Sequence, residues 1–97
     1  MINMVSLKIN DKVAIGLRVD LPDSPPLLMI IGQTGFVMCG FLNMEAAGKL
    51  NVAAAMVSDV RNFDDVLGAE IKAATSKAKI KGVRIGMKGK EAVRLLL

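Results

Sequence analysis

The sequence predicts a small α+β domain: an antiparallel-rich mixed sheet of about five strands, with short helices packed mainly on one face. Three observations carry this. Apolar residues alternate with a period of two through the N-terminal third, the spacing of a strand with one buried face. Helix-start signals and glycine stops enclose only short segments in the C-terminal half. The connections are too short, and strand and helix alternate too irregularly, for a doubly wound nucleotide-binding sheet. A chain of 97 residues is one domain, so a single unit spans 1–97.

Leu7 and Ile9, then Val13, Ile15, Leu17 and Val19, mark two strands, with Asn10-Asp11-Lys12 as a tight turn between them. All three prolines fall in D-L-P-D-S-P-P, from Asp20 to Pro26. Proline lacks an amide donor, so this piece is a loop or an edge. Leu27–Ile31 reads as a third strand, Gly32–Gly35 as a hairpin turn, and Phe36–Phe41 as a fourth strand. Both faces of that fourth strand are apolar, which predicts a central strand covered on both sides. Gly40 would let a helix or ligand approach its backbone.

Asn43 can cap a short helix from Met44 to Leu50. Val52–Val57 reads as a fifth strand. Asn62 and Asp65 form a capping-box-like pair, and Asp64 and Asp65 suit the positive end of a helix that stops at Gly68. A further helical segment runs from about Ala73 to Ile80 and ends at Gly82. Val83–Ile85 is a brief extended stretch. Gly89 to Leu97 is the last helix, with Ala92, Val93 and Leu96 as its apolar stripe.

Hydrophobic content is 53%, above the roughly 45–50% usual for soluble domains. The surplus predicts burial against another copy, a dimer first. No apolar run approaches the ~20 residues a spanning helix needs. The N-terminus does not look like a signal peptide. One cysteine suits a reducing, cytoplasmic setting.

The net charge of +4 is unevenly spread. Residues 1–71 carry a net −3, and residues 72–97 carry +7. The basic end can attract anions, or simply stay solvated. It contains no aromatic residue, so a single-strand nucleic-acid platform is the weaker reading.

Three stretches, G-F-V-M-C-G-F-L-N, V-R-N-F-D-D-V-L and G-V-R-I-G-M-K-G-K-E-A, resemble in order and spacing those of the YunC-like family, the DUF1805 domain. The resemblance covers nearly the whole chain. It implies a single α/β domain of bacteria and archaea with no established activity. The family's M-C-G falls on Met38, Cys39 and Gly40. Its glycine–methionine turn falls on Gly86 and Met87, and its following glycine and basic residue on Gly89 and Lys90. Asn43 stands where an aspartate is common, so no carboxylate role carries over there.

The chain has no histidine, which excludes Cys-His and Ser-His catalysis within it and the usual histidine metal sites. Two candidate sites follow. Cys39 could act as a nucleophile, given exposure and a nearby cation; the bland alternative is a buried small hydrophobe. The segment with Arg84, Gly86, Lys88, Gly89 and Lys90 could cradle a small phosphate or carboxylate on converging amides ahead of the last helix. It is not a Walker A loop; the alternative is an ordinary glycine turn. Met38, Gly40, Asn43, Arg61, Asp64 and Asp65 are expected in structural roles or as a pocket wall. No metal and no cofactor is expected.

Overall fold

The computed structural model describes residues 2–9, 11–40 and 49–97. They form a six-stranded mixed sheet with strands side by side in chain order. The strands are β1 (Ile2–Ile9), β2 (Lys12–Val19), β3 (Leu27–Ile31), β4 (Phe36–Met38), β5 (Ala54–Met56) and β6 (Ala73–Ala74). Every neighbouring pair is antiparallel except β4 and β5, which run parallel. The helices are α1 (Phe63–Gly68), α2 (Ser76–Ile80) and α3 (Gly89–Leu96). The fold is α+β, as the periodicity predicts.

Local chemistry explains most boundaries. Ile9 faces Lys12 across a two-residue turn, and Asp11 in that turn has φ +66°, the left-handed geometry such hairpins need. Asn62 starts α1 by accepting the Asp65 amide at 2.7 Å, while the Asp65 carboxylate accepts the Arg61 amide at 3.0 Å. Thr75 starts α2 through its hydroxyl, which accepts the Ala78 amide. Gly82, at φ +105°, follows its end.

Several expectations shift, and one lies outside what is described. The sheet has a sixth strand where a helix was expected to begin. Ala73 and Ala74 pair with Met56 and Ala55, and Thr75 caps the helix only afterwards. The fourth strand ends at Met38 and the fifth spans Ala54–Met56, shorter than their apolar runs. Val83–Ile85 is no strand, because the Val83 amide turns back to the Ala78 carbonyl at 3.1 Å. The helix expected from Met44, with its cap Asn43, lies almost wholly outside the described residues.

The register assigns each side chain to a face. One row holds Ala14, Leu28, Ile30, Val37 and Ala55, all fully buried with Val66, Ala92, Val93 and Leu96 of α1 and α3. Gly16 belongs to this inner row. A Cβ there would meet the Phe63 ring at 2.9 Å, so the missing side chain lets α1 lie close to the sheet. The opposite row aligns Met4, Leu17, Met29 and Met38 across four strands, and Ile15, Ile31, Phe36 and Ala54 beside them. Met38 and Ala54 are buried on that side. Val37 and Met38 are thus buried on opposite faces, as expected of a central strand.

Candidate functional site

The parallel pairing of β4 and β5 creates the most site-like feature of the molecule. Both strands deliver their carboxyl ends to the same edge. β3 runs the other way, so its entry from Pro25 and Pro26 lies at that edge too. The ladder continues one step past each strand: the Cys39 amide donates to Leu28 O at 3.0 Å, and the Val57 amide to Met38 O at 2.9 Å. Beyond these bonds the chains diverge and leave a cavity of about 350 Å³. Its described lining is Pro25 and Pro26, Cys39 and Gly40, and Ser58 to Arg61. In open, mostly parallel α/β sheets, crevices outside the carboxyl ends of the strands bind ligands; here one parallel pair, β4 and β5, offers such an end.

Each lining residue has a local reason for its place. Asp59 has φ +59°, a left-handed kink that aspartate tolerates better than most residues. The kink turns the chain between β5 and α1. Arg61 is then fixed by its own backbone amide, held by the Asp65 carboxylate. Its guanidinium makes no ion pair or hydrogen bond among the described residues; the ion pair there joins Arg18 to Asp20. Gly40 is exposed, and an added Cβ would touch nothing within 4 Å.

Cys39 lines the cavity but is only 3% exposed. Its sulfur accepts the Leu28 amide at 3.4 Å. The thiol is therefore a recessed wall group, packed with the main core. Buried cysteines that serve packing are inert as a class.

The other expected residues fall elsewhere. Met38 lies on the outer sheet face with Ala54, away from the cavity lining. Asp64 and Asp65 belong to the first turn of α1. Among the described residues, no three His, Cys, Asp or Glu side chains gather as a metal site.

The turn before α3 uses its amides internally. Gly86 donates to Ile71 O at 2.9 Å, Met87 to Arg84 O at 3.3 Å, and Gly89 to Ala69 O at 2.8 Å. The backbones of Lys88 and Glu70 pair as an isolated antiparallel β-bridge. Arg84 turns its guanidinium to Lys79 O at 2.9 Å and Val83 O at 3.1 Å, where it satisfies the end of α2. Gly89 is buried, and any side chain there would run into the Val66 carbonyl. Only Lys88 and Lys90 of this set combine exposure with an uncommitted side chain. Gly86, at φ +92°, thus makes the turn, and Gly89 lets α3 dock onto α1.

The sequence reading placed Cys39, Gly40 and Arg61 among its candidates, and the fold brings these three to one cavity. It did not single out Pro25, Pro26, Ser58 or Val60. The available signal was the triple-proline loop, which cannot itself reveal what it faces. Among the described residues no helix is long and apolar enough to cross a membrane.

Comparison with known proteins agrees with this architecture. Over its length the chain is similar to the uncharacterised protein YunC of Bacillus subtilis (27% identity, covering 96% of this chain and 95% of that protein). Its fold is that of TA1206, a protein of unknown function from Thermoplasma acidophilum. The TM-score is 0.94 at 34% identity, covering 100% of this chain and 94% of that one. Residues 38–96, from the buried methionine of β4 to the end of α3, match the Domain of unknown function DUF1805, and the chain belongs to that family.

Proposed function

We propose that this protein binds a small ligand carrying a carboxylate or phosphate group in the cavity at the ends of β4 and β5. The observation that carries this reading is the pairing of a 350 Å³ cavity with an Arg61 side chain that has no ion pair or hydrogen bond among the described residues. Arginine meets such anions through two parallel hydrogen bonds. Pro25, Pro26 and Val60 offer an apolar wall to the body of the ligand. Asp59 stands on the same rim, which favours a ligand that also carries a hydrogen-bond donor. The volume suits a small metabolite, at the low end of the usual ~300–1,000 Å³. The site is preferred to the Gly86–Lys90 turn for an anion, because the amides of Gly86, Met87 and Gly89 already have partners.

The competing reading makes Cys39 a nucleophile on the same ligand. Its position in the cavity wall supports it; its 3% exposure weighs against it. The two readings part in one experiment. Small carboxylates and phosphate esters are screened by ligand-detected NMR against the wild type and Arg61→Ala. A ligand is expected whose affinity falls about tenfold or more in Arg61→Ala, the loss typical of a charge-assisted contact. Iodoacetamide at neutral pH should leave Cys39 largely unlabelled over the time that a free thiol reacts fully. Hits that bind Arg61→Ala equally well would refute the binding site. Rapid labelling that a bound ligand blocks would favour the nucleophile.

A further inference from the structure

The outer face of the sheet has the composition of an interior. An antiparallel sheet with one wet face normally points its apolar row inward and its polar row outward. β2 does the reverse. Its inner row is Lys12, Ala14, Gly16 and Arg18, and its outer row is Val13, Ile15, Leu17 and Val19. The neighbouring outer positions of β1 and β3 continue the apolar surface. Across β1 to β4 the only polar strand residues on that face are Ser6 and Lys8. It is nevertheless open at its β1 side: Ile2 is 67% exposed, Met4 68% and Val13 56%.

From this we infer that a second copy of this chain covers the outer face of β1–β3, beside the already buried Met38 of β4, packing the same face against it about a two-fold axis. The dimension argues for a copy of the chain. At ~3.4 Å per residue and ~4.8 Å between strands, the three strands present roughly 340 Å² of flat sheet. That matches the largest apolar patch of a typical monomer, about 300–600 Å², and such a patch often serves an interaction. With the relief of the side chains, two such faces would bury on the order of 1,000 Å² in total, the size of a small, weaker interface. Charge argues the same way. The chain carries +4 overall, yet the outward strand residues of β1–β3 include only one charge, Lys8, near one corner. An axis centred on the face, running along or across the strands, separates the two Lys8 groups, so self-association meets no like-charge contact. Two aligned sheets packed this way form a sandwich with helices outside.

The two edges of the sheet fit this arrangement. β6 is two residues long, a length that protects an edge from further pairing. β1 has eight residues, unbroken register with β2, no proline and no acidic residue. Its outer row is therefore flat enough to lie against another sheet.

Sedimentation velocity of the full chain tests the inference. The wild type is expected to sediment as a dimer at micromolar concentration. Met4→Lys and Val13→Lys should each weaken the dimer at least tenfold while circular dichroism stays unchanged. Both positions are more than half exposed, so neither variant loses core packing. A wild type that remains monomeric at about 100 μM, two orders above a micromolar Kd, overturns the inference. This includes a monomer that floats with anionic phospholipid vesicles. A dimer indifferent to both lysines overturns it as well. Neither outcome touches the Arg61 cavity, whose ligand screen reads a separate surface.

Discussion

Gly89→Ala is expected to cost about 3 kcal/mol or more of folding stability, the upper range of overpacking in a close-packed core. The position looks mild in sequence, since alanine favours helices. In the structure Gly89 is the first residue of α3 and is buried against α1. An added methyl would coincide with the Val66 carbonyl oxygen. That atom is backbone, so it cannot rotate aside; α3 would have to withdraw. Withdrawal would stretch the Gly89 amide bond to Ala69 O and loosen Ala92, Val93 and Leu96. At ~4–8 °C per kcal/mol for a domain of this size, the melting temperature should fall by more than about 12 °C. Thermal circular dichroism decides it, and a drop under about 4 °C would mean that α1 and α3 do not pack this closely.

Thr75→Val should be nearly as damaging, although it preserves shape. Thr75 is the one buried polar side chain among the described residues, 6% exposed. Its hydroxyl donates to Val52 O at 2.7 Å and accepts the amides of Ala54 at 3.0 Å and Ala78 at 3.3 Å. Three segments meet at one oxygen: the approach to β5, the start of β5 and the first turn of α2. Valine would leave the Ala54 amide buried without a partner and remove the helix cap. An orphaned buried group costs ~1–3 kcal/mol and a lost cap ~1 kcal/mol, so a loss of about 2–4 kcal/mol is expected in urea unfolding. Thr75→Ser keeps the oxygen and should stay within about 1 kcal/mol. Equal losses in the two variants would assign the effect to packing instead.

The readable parts of the fold were those governed by neighbours in the chain. The β1–β2 hairpin announces itself through alternating side chains and a turn at Asp11. The start of α1 is visible because Asn62 and Asp65 lie within one helical turn of each other. The stripe of α3 follows from a period of 3.6 residues. What stayed hidden depended on distant partners. Ala73-Ala74 has poor strand propensity and becomes β6 only because β5 supplies an open edge. Gly86 and Gly89 look like an anion cradle in sequence, but their amides go to Ile71 and Ala69, some fifteen or more residues back. Arg84 reads as a free cation and is a helix-end partner.

The candidate site shows the same division. Cys39, Gly40 and Arg61 stand out as residue types, yet only the parallel alignment of β4 and β5 brings residues 39–40 and 58–61 to one rim, with Pro25 and Pro26 opposite. Likewise β2 looks like any alternating strand until its partners show which row faces the helices.

By itself, the sequence determined the family and the locally governed elements, the β1–β2 hairpin, α1 and α3 among them, because periodicity, caps and turn residues act over a few bonds. Tertiary structure decided which donors remain free, which face of the sheet stays bare and where a cavity opens. Those properties come from contacts between segments far apart in the chain, and hydrogen-bonding and burial are settled only once the segments have met.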